Sequence, residues 1–279
     1  MIPRSAPVPT QFSTRYICIT EGIIFMNRSN AVRISDSAHF LETAEPDARR
    51  AGLAIVYAWK HAQGNLAEAM NRAFSFRYRF LKRILDIVVS SVLLLLLSPL
   101  GLVLALLVAL TSPGPVFYSE QRMGRFRIPF RILKFRSMYI SLPHSKVLEI
   151  GTRPQIDHGT RRLRKRIHDP RVTPVGRVLR RMSLDELPQL WNVLVGEMSI
   201  VGPRPIVAEE RHLYGQNLPY YDLFRPGITG LWQVSGRSEI EYEKRIGLDR
   251  EYASKWSCSF DLMILARTIP AVISMRGAY

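Results

Sequence analysis

The sequence predicts an α/β, mostly helical, monotopic membrane protein: a re-entrant membrane helix broken at Ser98-Pro99, interfacial amphipathic helices, and a small domain on the cytoplasmic side. Three observations lead there. From Ile87 to Leu110 the chain runs 24 residues without a charge, with Ser98-Pro99 at its midpoint. Basic residues flank that run on both sides. After it, short strand-like and helix-like stretches alternate, separated by glycine and proline.

The uncharged run is long enough to span a bilayer as a helix. Proline removes one helical hydrogen bond and crowds the preceding turn, so the helix is expected to kink or break there, with Ser98 placed to satisfy a freed carbonyl. Arg72, Arg77, Arg79, Lys82 and Arg83 precede the run; Arg122, Arg125, Arg127, Arg131, Lys134 and Arg136 follow it. Such flanks stay on the cytoplasmic side, so both ends read as cytoplasmic. A bent helix that enters and returns accommodates this; the alternative is an ordinary span with a mild proline kink.

Residues 1–75 form an N-terminal extension, in which Tyr16 to Phe25 reads as a strand and Ser37 to Phe74 as one or two helices leading into the membrane segment at 76–112. Residues 113–279 form the cytoplasmic domain. Within it, Val116–Glu120 and Phe130–Phe135 flank Met123-Gly124-Arg125 and read as a strand pair. Val175–Arg181, Glu186–Val195 and Ile206–Tyr214 are helix candidates. Phe260–Met275 is a further helix, to lie in the membrane interface or in a core.

The 279 residues are 47% apolar and carry 39 lysines and arginines against 23 acids, a formal charge of +16. That excess favours polyanions: anionic lipid, nucleotide phosphate or nucleic acid. Gly151 to Arg181 alone holds ten basic and two acidic residues, half of the net charge, as a solvated face or an anion-facing one. Cys18 and Cys258 stand far apart and form no CxxC pair, which fits a reducing compartment. No apolar stretch in the first thirty residues resembles an export signal. The six histidines show no HExxH spacing, and neither a GxSxG elbow nor a GxxxxGK[ST] loop occurs, so metalloprotease, hydrolase and P-loop chemistry fall away.

Ser183-Leu-Asp-Glu186 has the spacing of a capping box, a purely structural reading. The same placement puts Asp185 in a first helical turn, where its ionised form is favoured and a carboxylate is a competent nucleophile. Attack by a carboxylate on an anionic diphosphate requires a divalent cation and fixed arginines. Glu186 suits Mg²⁺, which takes one or two carboxylates together with substrate phosphates, and Arg180, Arg181, Arg204 and Arg237 stand near turns. The prolines around Arg204 stiffen its backbone.

Several segments in this order resemble the bacterial sugar transferases, the monotopic polyprenyl-phosphate phosphoglycosyl transferases. They are Lys82-Arg-Ile-Leu-Asp86, Leu133-Lys-Phe-Arg-Ser-Met138, Asp169-Pro-Arg-Val-Thr173, Ser183-Leu-Asp-Glu-Leu-Pro-Gln-Leu190, Gly196-Glu-Met-Ser199, Val201-Gly-Pro-Arg-Pro205 and Arg225-Pro-Gly-Ile-Thr-Gly-Leu-Trp-Gln-Val-Ser-Gly-Arg237. The resemblance implies that Asp185 attacks the diphosphate of a UDP-sugar, releasing UMP, and that undecaprenyl phosphate then takes the phosphosugar. It implies that Glu186 holds Mg²⁺ and that Lys134, Arg180, Arg204 and Arg237 contact phosphates or nucleotide. Arg225–Arg237 and Arg267-Thr-Ile-Pro-Ala-Val272 look most like the undecaprenyl-phosphate galactose phosphotransferases that begin exopolysaccharide synthesis, with UDP-galactose or UDP-glucose as donor. The expected setting is the bacterial inner membrane, with membrane lipids as partners, no nucleic acid, and a homo-oligomer left open. Two rivals remain at this level: a non-enzymatic basic membrane-anchored protein binding anionic lipid or nucleic acid, and an inactive scaffold, which retention of Asp185 and Glu186 disfavours.

Overall fold

The computed structural model describes the backbone of strands 15–19 and 22–26, together with residues 64–140, 169, 171–236 and 240–273. Arg237 and most of the basic run 151–181 lie outside the described residues, as does most of Ser37–Phe74. Tyr16–Phe25, expected as one strand, is an antiparallel pair, β1 (Arg15–Ile19) and β2 (Gly22–Met26), with Ile17 opposite Ile24.

Helix α1 (Asn65–Phe74) buries Leu66, Ala69, Met70 and Ala73, which recur at three- and four-residue spacing and so share one face. It leads into α2 (Phe76–Thr111), 36 residues long, whose stretch from Arg79 is long and apolar enough to cross a membrane. The expected break at Ser98-Pro99 is not seen: the helix is continuous through Pro99. The physical reason is local. Pro99 lacks the amide that would donate to the Leu95 carbonyl one turn back, and the Ser98 hydroxyl donates to that oxygen instead, at 2.8 Å.

Both arms of α2 are tied to the rest of the chain. In the first, Lys82 Nζ reaches Asp261 Oδ2 at 2.6 Å and the Val201 carbonyl at 2.9 Å. Arg83 donates to the Val193 and Leu194 carbonyls, both at 2.7 Å, closing off the end of a later helix. Asp86 Oδ1 accepts from Ser199 Oγ at 2.8 Å and from the Ile200 amide at 2.9 Å. In the second arm, Leu104 and Val108 are buried with Phe135 and Leu179, and Arg136 Nη2 donates to Ser112 O at 2.6 Å. Between the arms the surface is bare, with Leu95, Leu96 and Leu102 at 76%, 67% and 73% exposure.

The predicted strand pair is present and longer than expected: β3 (Phe117–Met123) and β4 (Pro129–Phe135) pair antiparallel from Phe117–Phe135 to Met123–Pro129. Phe126 and Arg127 in its turn have left-handed backbones, at φ 56° and 66°. Side chains offset that strain. Arg127 Nε donates to buried Asp222 at 2.8 Å, and Phe126 stacks on Phe74. Alternation along β4 sends Phe130 and Ile132 into the main core.

Helix α3 (Pro174–Arg181) matches its prediction. Thr173 Oγ1 caps it by accepting from the Gly176 amide at 2.8 Å, with Pro174 at the first position. Then follow a single 3₁₀ turn (Leu184–Glu186), α4 (Gln189–Val195), β5 (Ser199–Val201), α5 (Arg211–Tyr214), α6 (Leu218–Asp222), β6 (Gly227–Thr229), α7 (Leu231–Val234), α8 (Tyr242–Lys255) and α9 (Cys258–Ile273). Strands β5 and β6 pair parallel, Ser199 with Gly227 and Val201 with Thr229. Ile206–Tyr214 is therefore not one helix: Ile206 bridges to Met123, and only Arg211–Tyr214 is α-helical. Helix α9 has a core-facing side, with Ile264 fully buried, while Leu262 and Ile269 are exposed.

Candidate active site

Asp185 and Glu186 sit on the 3₁₀ turn between α3 and α4, and the capping box proposed for them does not form. Ser183 is left-handed, at φ 57°, and its side chain caps nothing; α4 begins only at Gln189, after Pro188. A three-residue turn has little dipole, so the positive environment of the pair must come from side chains rather than from a helix end.

Lys134 on β4 provides one such charge, its Nζ lying 2.7 Å from Glu186 Oε1 with both groups partly exposed. Arg204 provides another: burial and the Arg245 charge lower its proton affinity, while Glu186 and Glu210 raise it. Asp185 is buried beside Glu186. The structure therefore gathers Asp185, Glu186, Lys134 and Arg204. Arg180 is held differently, its Nε donating to Ser137 Oγ at 2.8 Å just beyond β4. Gly176 permits that arrangement, because a Cβ there would collide with the Ser137 carbonyl. Arg237 lies outside the described residues.

Arg204 stands on a stiff segment, as its flanking prolines predict. Gly202 N donates to Thr229 O at 2.9 Å and Gly227 N to Pro203 O at 2.8 Å, pinning the loop against β6. The Asp249 carboxylate, near the Arg204 backbone, accepts from Tyr214 Oη at 2.8 Å. Burial pushes the Asp249 carboxyl up to about 7, against the hydrogen bond from Tyr214 and the charge of Arg245, which favour ionisation. Sequence reading missed this part of the site. Tyr242, Arg245, Asp249 and Tyr252 recur at intervals of three and four along α8, a buried polar stripe legible only once that helix is recognised.

The proton held on buried Asp249 makes folding stability depend on pH. An unfolded aspartate ionises near 3.9, so between about pH 4 and pH 7 the folded chain holds a proton that the unfolded chain has lost. The associated stability is complete below pH 4 and is lost as pH rises through 7. Asp222, pushed up to about 6 mainly by burial, acts in the same sense over a lower window. Asp249→Asn is expected to flatten the fall in melting temperature between about pH 4 and 7, measured by thermal unfolding in detergent.

No cluster of three or more metal-ligating side chains occurs among the described residues. Adjacent carboxylates are the donor type Mg²⁺ takes together with phosphate oxygens and water, although the Lys134 ammonium at Glu186 Oε1 opposes a cation there.

The profile of the family described as bacterial sugar transferase matches residues 77–275. The exopolysaccharide production protein ExoY of Rhizobium meliloti is 48% identical over 71% of this chain and 88% of its own length. The undecaprenyl-phosphate galactose phosphotransferase of Salmonella typhimurium is 42% identical over 78% of this chain, which spans only 44% of that protein. The UDP-glucose:undecaprenyl-phosphate glucose-1-phosphate transferase of Caulobacter vibrioides is 41% identical over 71% of this chain and 72% of its own length. The matched stretch takes in α2 and the gathered carboxylates and cations together, and on that breadth of agreement the chain belongs to the bacterial sugar transferase family.

Proposed function

We propose that the protein transfers a hexose 1-phosphate from a UDP-sugar, UDP-galactose or UDP-glucose, to undecaprenyl phosphate, initiating an exopolysaccharide or other surface glycan. The observation that carries this reading is the buried Asp185 beside Glu186, with Lys134 bonded to Glu186 and Arg204 within its field. Asp185 attacks the sugar-bearing phosphorus; its carboxylate forms a P–O bond as the bond to the bridging oxygen breaks, and that oxygen leaves with UMP. An oxygen of undecaprenyl phosphate then attacks the same phosphorus and frees the carboxylate. Both steps bring anions together, and Lys134, Arg180, Arg204 and Arg237 lower that repulsion. Glu186 would hold Mg²⁺, which when bound supplies further charge neutralisation at the diphosphate.

The seating proposed is re-entrant, with 76–112 dipping into the cytoplasmic leaflet of the bacterial inner membrane and 113–279 remaining on the cytoplasmic face. Tying of both ends of α2 to the rest of the chain, with a bare apolar stretch between them, supports it; in this seating the helix bends at Pro99 without breaking. Purified protein given Mg²⁺, undecaprenyl phosphate and a panel of UDP-sugars is expected to release UMP with one hexose donor and to stop when Mg²⁺ is chelated. Absence of UMP with every donor counts against the reading.

A further inference from the structure

Beside the carboxylate pair lies a second cluster with unmet needs. Arg204 and Arg245 both approach the ring of Trp232, their Cζ atoms 5.2 and 5.6 Å from its centroid, and Arg245 also stacks on Tyr242 at 4.0 Å. Arg245 and Trp232 are each 8% exposed. Aromatic faces hold the two cations in place, but they cannot accept their N–H bonds in the ring plane of the guanidinium. Four buried donors, Arg204 Nε, Arg245 Nε, Arg245 Nη2 and Trp232 Nε1, have no hydrogen-bond partner among the described residues.

Buried donors without acceptors, and two like charges sharing one desolvated pocket, are both costly, and they coincide here. Glu210 is near enough to act on Arg204, yet its buried Oε2 accepts no hydrogen bond, so it leaves the donors unsatisfied. An incoming oxyanion meets both needs, by accepting from the donors and by separating the cations. Ile206, Tyr214, Tyr221 and Ile246 form the neighbouring apolar cluster, which takes no residue from α2.

We propose that Arg245 and Arg204, backed by Trp232, form the subsite for the phosphate that departs with the nucleoside, so that Arg245 is a substrate-binding residue. This rests on the transferase reading above and extends it to a residue outside the carboxylate pair. Loss of one charged hydrogen-bonding group corresponds to roughly ten- to hundredfold in affinity.

The test uses the full chain in nanodiscs, with UMP and uridine binding followed by ligand-observed NMR for wild type, Arg245→Gln, Arg245→Lys and Trp232→Phe. Arg245→Gln is expected to weaken UMP about ten- to hundredfold while uridine affinity stays the same; Arg245→Lys, which keeps the charge, and Trp232→Phe, which keeps a ring but removes the N–H, fall between. Should Arg245→Gln fail to fold, the UMP-to-uridine affinity ratio of the other two variants decides. UMP binding unchanged in the variants, or UMP and uridine weakened equally, overturns the proposal. So does a defect confined to the KM for undecaprenyl phosphate, which would give the pocket to the acceptor. UMP binding needs no chemistry: a wild type that binds UMP through Arg245 but forms no adduct on Asp185 sinks the transfer reading and leaves this subsite standing.

Discussion

Asp185→Asn is expected to lower UMP release by at least about a thousandfold, the scale on which loss of a nucleophile acts. Asparagine keeps the size of the side chain and its place on the 3₁₀ turn, so folding and extraction from the membrane should match wild type. Lys134 and Arg204 still surround Glu186 in this variant, and substrate binding should persist. The contrast matters because a purely electrostatic role for Asp185 would leave a larger residue of activity. Turnover of the variant within tenfold of wild type, in the same UMP-release assay, would assign the nucleophile elsewhere.

The second large effect is on stability. Lys82→Met leaves Asp261, 1% exposed, without the ammonium that lies 2.6 Å from it. Lys82 itself is only 11% exposed, so little solvent screening moderates the loss. Removing one partner of such a buried pair costs about 3–5 kcal/mol, because an uncompensated charge stays behind. Tyr252 Oη at 2.8 Å and Trp256 Nε1 at 3.2 Å continue to donate to Asp261 and recover part of it. The expected drop in melting temperature is roughly 10 °C. The double variant Lys82→Met/Asp261→Leu should regain much of that loss, since it removes the stranded charge too. A single variant as stable as wild type would show that this contact does not anchor α2.

Much of this architecture could be read before any coordinates because it follows from local chemistry. The turn at Met123-Gly124-Arg125 announced the β3–β4 pair, Val175–Arg181 was expected as the helix that is α3, and Ser98 is hydrogen-bonded to the Leu95 carbonyl that Pro99 leaves free. The break expected at Pro99 failed because that same hydroxyl lets the helix run on. The capping box failed for the opposite reason: Ser183 has the right spacing from Glu186, but tertiary packing holds it left-handed and spends Glu186 on Lys134, 52 positions away.

The carboxylates and Lys134 are candidates because they stand in contiguous motifs. Arg245 was not, because its meaning depends on Arg204 and Trp232, which come from separate segments and meet only in the folded chain. Asp249 likewise looks like an ordinary helical acid until Tyr214 is seen to donate to it inside the fold.

In the mechanism proposed, phosphorus becomes bonded to one carboxylate oxygen during turnover. Intact-protein mass spectrometry on enzyme mixed with UDP-galactose or UDP-glucose and Mg²⁺, without lipid acceptor, measures it directly. The expected result is the added mass of one hexose phosphate, mapped by peptide fragmentation to Asp185 and discharged when undecaprenyl phosphate is supplied. An unmodified chain, or a hexose phosphate on any other side chain, would contradict it.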